Sequence, residues 1–232
     1  MRTITCSIAL MSLLFGASIG AQQPPANTDH VAAVKRSLQT SMAALRQYTW
    51  VESTVISLKG EEKSRTQKQC SYGADGQLLK IPIGDPAPPA KTERGLRGRI
   101  AENKKEEVSA SMKEAVALLH EYVPPDPQRI QAARDAGKLS IIPPDAAGNV
   151  QIVIKDYLKS GDSLTLRANA ATDRLLGLTV ATYSDSANHS VALKVEFSSL
   201  LDGTIYPENI DLEVSQESLQ VAVENLGYNK AR

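Results

Sequence analysis

The second half of the chain alternates. Between residues 138 and 228, apolar side chains recur at every second position in one segment after another: Leu164 and Leu166; Leu176, Leu178 and Val180; Val191, Leu193, Val195 and Phe197; Ile210, Leu212 and Val214; Leu219, Val221 and Val223. The positions between them hold Thr165, Arg167, Thr179, Lys194, Glu196, Asp211 and Glu213. A period of two sends successive side chains to opposite faces of an extended strand, so each segment is apolar on one side and polar on the other. The segments return about every 13 residues, which suits antiparallel strands joined by short loops. Turn phrases separate them: "KSGDS", "NAATDR", "SDSANH", "LDG" and "SQES". The expected strands are 138–142, 149–158, 163–169, 175–184, 190–199, 204–214 and 218–228. A sheet so one-sided has one wet face and one covered face.

The first half supplies the cover. A capping run at Asn27-Thr28-Asp29 precedes Val31, Val34, Leu38, Met42 and Leu45, spaced by three and four as on one face of a helix. The chain then turns β-branched at "YTWVESTVISL" and continues through a second strand containing Cys70. "GADG" marks a hairpin, and "QLLKIPI" is its return strand. Pro86, Pro88 and Pro89 end the regularity. A long helix to about Tyr122 is expected next, with apolar positions Ile100, Val108, Met112, Ala115, Val116, Leu119 and Tyr122. A short one follows, with Asp126 as N-cap, Pro127 at its first position and Gly137 past its end. A sheet of nine or ten strands leaves long exposed edges unless it curls. The expected fold is therefore α+β, mainly antiparallel β. It is a curved, open or half-closed barrel with an N-terminal helix and an inserted helical lid.

The N-terminus reads as an export signal. Arg2 precedes the apolar "IALMSLLFGASIG", and small residues stand at Gly20 and Ala21 before the polar "QQPPANTD". Residues 1–21 are thus the signal, 22–28 a flexible linker and 29–232 a single domain. The mature chain is expected in the periplasm or outside the cell after cleavage near Ala21, with no transmembrane segment. The whole chain balances 26 basic against 26 acidic residues, and loss of Arg2 leaves the acids one ahead. A nucleic-acid binder should be distinctly basic, so that class is set aside. Only Cys70 remains after cleavage, which rules out an internal disulfide and fits a small buried apolar residue. A monomer is expected.

The order of helix, strands, inserted helical segment and meander, with the phrases "SGDSLTL", "LTVATYSD" and "LDGTIYP", resembles the periplasmic lipoprotein-carrier fold. That fold is shared by the lipoprotein localisation factors, mycobacterial lipid-carrier lipoproteins and a periplasmic sigma-factor regulator. The layout is also similar to exported bacterial proteins of unknown role. The resemblance covers roughly residues 29–228. It implies an unclosed barrel, a helical lid and an apolar cavity for acyl chains.

No reaction chemistry is legible. "GASIG" matches the G-x-S-x-G elbow in letters, yet it lies in the signal segment without the strand–turn–helix context. His30, His120 and His189 stand apart, without the cysteine or carboxylate spacing of a metal site. No enzyme and no cofactor is therefore expected. One charge feature stands out, the basic run Lys91, Arg94, Arg97, Arg99, Lys104 and Lys105 at a helix start. Positive charge there opposes the helix dipole, and arginine forks suit phosphate oxygens. Arg94, Arg97 and Arg99 are candidates to hold an anionic headgroup. Candidates for an apolar cavity are Leu164, Leu166, Leu178, Val180, Leu193, Val195 and Phe197 from the sheet, with Met112, Val116 and Leu119 from the helix. The expected partner is a lipid or acylated peptide; a filled core serving an envelope interaction or sensor module is the alternative.

Overall fold

The computed structural model describes residues 27–84, 96–185, 189–216 and 218–231. Residues 1–21, read above as an export signal, the prolines at 86–89 and Arg94 lie outside them. The elements are α1 (Asn27–Leu45), β1 (Tyr48–Leu58), β2 (Glu61–Tyr72), β3 (Leu78–Pro82), α2 (Leu96–Leu119), α3 (Pro127–Asp135), β4 (Leu139–Ile142), β5 (Asn149–Lys155), β6 (Ser163–Asn169), β7 (Arg174–Tyr183), β8 (Ser190–Ser199), β9 (Ile205–Val214) and β10 (Leu219–Lys230).

All ten strands form one antiparallel sheet in the order β3-β2-β1-β10-β9-β8-β7-β6-β5-β4. It does not close, because β3 and β4 are both edges. The expectation of an open antiparallel sheet with helices holds. Two meanders, β1–β3 and β4–β10, meet at the β1–β10 seam, where Tyr48 opposes Lys230 and Leu58 opposes Leu219. α1 touches β7 and β9, α2 touches β9, and α3 touches β4 and β5.

Local chemistry sets several boundaries. α3 begins where Asp126 accepts the Gln128 amide with Pro127 at the first position. β5 stops at Lys155, three residues short of the sequence expectation. Asp156 turns with φ 49°, and the Asp162 carboxylate collects the Tyr157 and Lys159 amides at 2.6 and 2.9 Å. β10 runs two residues past the expected end through an irregularity beside Gly227 (φ 66°), where glycine tolerates the left-handed turn. In β7 a register shift brings Leu175 opposite Ala168, so Leu175, not the alternating Leu176, is buried. α2 ends at Leu119, three residues before its expected limit.

Both edges are blunted in the same way. Ile83 donates its amide to Gln67, which puts alternate residues of β3 inward and leaves Leu78, Lys80 and Pro82 facing away from β2. On β4, Lys138 accepts from Lys155, so Leu139 and Ile141 face outward, and Pro143 follows in that phase. A proline at an outward position removes a donor that a stray strand would use, at no loss to the sheet.

The core is continuous across the meander. Ile154, Leu164, Val180, Val191 and Leu219 are fully buried, packed with Leu178, Val195, Leu212 and Val214 against Ala115, Leu119 and Tyr122 at the end of α2.

Candidate functional site

Directly opposed residues in antiparallel strands point to the same side, so the register defines rows running across the sheet. One row passes through Ile154, Leu164, Val180, Leu193, Leu212, Val221 and Ile56. The next passes through Ile152, Leu166, Leu178, Val195, Ile210, Val223 and Thr54. A third, nearer the end of α2, holds Thr182, Val191, Val214, Leu219 and Leu58.

Burial grades along these rows. Beneath the end of α2, Val191, Leu219, Leu164 and Val180 are at most 1% exposed. Toward the middle of the sheet, Leu193, Ile210, Val221, Ile56 and Phe197 are only half-buried against the cluster, as are Leu166, Met112 and Val108. The result is an apolar trough over β8, β9, β10 and β1, covered at one end and partly open in the middle.

The sequence candidates divide along that gradient. Leu164, Leu178, Val180, Val195 and Leu119 are buried, and Leu166, Leu193, Phe197 and Met112 are half-buried and border the trough. Val116 is 41% exposed and lies outside it, a correction to the helix face assigned from sequence. At 3.6 residues per turn it sits about 70° from the inward direction shared by Val108, Met112, Ala115 and Leu119. Arg97 and Arg99 belong to the first turn of α2; their side chains, like all of Arg94, lie outside the described residues.

The covered end is fixed by a buried polar network that pattern-reading did not find. Tyr122 donates to Asp162 Oδ2 at 2.5 Å, and its oxygen lies 2.7 Å from Thr182 Oγ1. All three side chains are buried. Burial, then the hydrogen bond to Asp162, pushes the Tyr122 hydroxyl well above its ordinary range. Tyr157 stacks obliquely on Tyr122 with ring centres 5.6 Å apart and accepts the Asp126 amide at 2.7 Å. The helical insert is thereby anchored to the β5–β6 turn. The only signal in the sequence was "SGDS", read as a plain turn.

At the far end of the sheet Trp50 stacks on Tyr228 (5.4 Å between centres, 10° between planes), with Tyr206 and Tyr72 alongside. The Trp50 indole donates to Asn225 at 3.1 Å. Cys70 is fully buried there, and burial raises its thiol above the usual range, as the apolar reading expects. On the opposite, uncovered face a recess of about 360 Å³ is lined by Val55, Ser57, Ala192, Lys194, Asp211 and Glu213 among others. Lys194 and Glu196 pair there at 2.9 Å. Among the described residues no three His, Cys, Asp or Glu side chains gather as a metal-binding group, and no helix is long and apolar enough to cross a membrane.

No family model matches this chain, and no curated protein does. Solved structures of similar layout include a LolA superfamily protein from Nitrosomonas europaea, 10% identical, spanning 84% of this chain and 94% of that one with a TM-score of 0.35. A DUF1329 family protein from Desulfovibrio piger is 9% identical and spans 88% and 92%, with a TM-score of 0.39. A candidate outer membrane lipoprotein-sorting protein domain from Vibrio parahaemolyticus is 8% identical and spans 85% and 93%, at 0.33.

Proposed function

We propose that this chain is an exported binding or carrier protein for a lipid or other long apolar ligand. Residues 1–21 act as its export signal, 22–28 as a linker, and the remainder as one ligand-binding domain, without a catalytic role. The observation that carries this reading is the half-open trough: Leu193, Phe197, Ile210, Val221 and Ile56 are adjacent, apolar and incompletely covered. Burial of a ligand methylene there contributes about 0.8 kcal/mol, so an acyl chain finds ample stabilisation along the rows. In this reading Arg94, Arg97 and Arg99 are the candidate cations for an anionic headgroup, because arginine forks suit phosphate oxygens.

The alternative, an envelope interaction or sensor module, draws support from the tightly filled core at the other end of the same face, around Leu164, Val180 and Leu219. Titration with a fluorescent acyl probe separates the two. The double variant L193A/F197A should lose affinity by about tenfold, since several ligand-contacting carbons are removed. L164A, beneath the closed end, should lower the thermal midpoint yet leave probe affinity unchanged. Absence of saturable binding by the wild-type protein favours the interaction module.

A further inference from the structure

The covered face changes character at one line. At the level where Ile210 opposes Val223, the row continues into Thr54 and then Thr66. One step along the strands, Asn225 is opposed by Glu52, and Glu52 by Lys68. The apolar trough therefore runs into a polar shelf made by β1 and β2.

Three charges gather on that shelf. Lys80 Nζ meets Glu52 Oε2 at 2.5 Å, and the Glu52 side chain is only 13% exposed, so that acid is already committed. Lys68 is opposite Glu52 in the register and half-buried. Among the described residues it has no ion pair or side-chain hydrogen bond of its own. Cys70, two residues along β2 from Lys68 and so on the same side, is opposed by Lys80 in the register, which places the three charges on one side of β1, β2 and β3. Two cations against one carboxylate leave a single positive charge, partly desolvated, at the mouth of an apolar surface.

We propose that Lys68 receives the anionic headgroup of a single-chain amphiphile whose tail lies across the strands toward β8. This deepens the reading of the preceding subsection and rests on it. Four strand spacings separate β2 from β8, a span of about 19 Å, suited to a long acyl chain. Lys68 belongs to the sheet, on β2.

The test uses two probes of equal chain length, a fluorescent long-chain fatty acid and the corresponding alcohol, with the full mature chain. In K68M the acid should bind about tenfold more weakly, the loss expected for one hydrogen bond to a charged group. The alcohol should bind as it does to wild type. K68Q should reproduce K68M, and K68R should retain most of the acid's affinity. Added salt should narrow the gap between probes in wild type but not in K68M. If wild type binds both probes and K68M changes neither, or weakens both alike, the assignment of Lys68 is overturned while the carrier reading stands. If wild type binds neither probe, the carrier reading itself fails and Lys68 falls with it.

Discussion

At the scale of the residue, Tyr122 carries the most consequence. Its hydroxyl joins the end of α2 to Asp162 and Thr182, on two elements far away in sequence. Removing it in Y122F leaves the Asp162 carboxylate with its backbone amides but without the Tyr122 hydroxyl as donor. The cost should be about 1–3 kcal/mol, as for other buried groups deprived of a partner, read as a lower urea midpoint. The pH dependence has a definite sign. The folded state favours the neutral phenol, so this stabilisation is complete below the ordinary tyrosine value of about 10 and is lost as pH rises above it. Tyr157 and Tyr228 are raised as well, both mainly by burial. Wild type should therefore lose stability steeply in alkali, and Y122F less steeply. An equal fall in urea midpoint between neutral and alkaline pH for wild type and Y122F would show that Tyr122 is not held as described.

At the scale of the element, the edges invite a direct measurement. Leu79, Ile81 and Ile83 on or beside β3 are 48%, 62% and 45% exposed, a stripe that would favour pairing with another strand were its backbone free. Pro82 withholds one donor there. P82A restores it, and sedimentation should detect concentration-dependent self-association that the parent lacks; a variant as monomeric as the parent would mean the proline has no protective part. The same scale shows what a reader of the sequence can recover. Strand positions in the meander were legible because alternation is a local signal, repeated in Val191, Leu193 and Val195 and answered in Ile210, Leu212 and Val214. The cap at Asp126 and the turn at "GADG" were legible for the same reason. Val116 was misplaced because one turn of helix cannot fix a face to better than a residue. The trough was legible only as a list of apolar positions. Which of them stay half-open depends on where α2 stops, and that is set by Tyr122 meeting Asp162, a contact between segments 40 residues apart. Lys68 was passed over for a similar reason, since its surplus charge appears only when β1 pairs Glu52 beside it.

At the scale of the whole molecule, the two meanders depend on one seam. β1 hydrogen-bonds to β2 on one side and to β10 on the other, so the earliest strand of the sheet finds its second neighbour only in the last. Truncation after Val214 should leave β1 and β9 each with an unsatisfied edge, and the shortened chain should show no cooperative thermal transition and rapid proteolysis. A protease-resistant truncated monomer would show that the halves stand alone. The seam also sets an order in time. A chain made from its N-terminus holds one edge of β1 and one of β9 open until residues 219–230 emerge, and pairings so distant form slowly. If the chain is exported as proposed, that delay would act as a clock: the polypeptide would stay threadable in a narrow channel and lock only after residues 219–230 had cleared it.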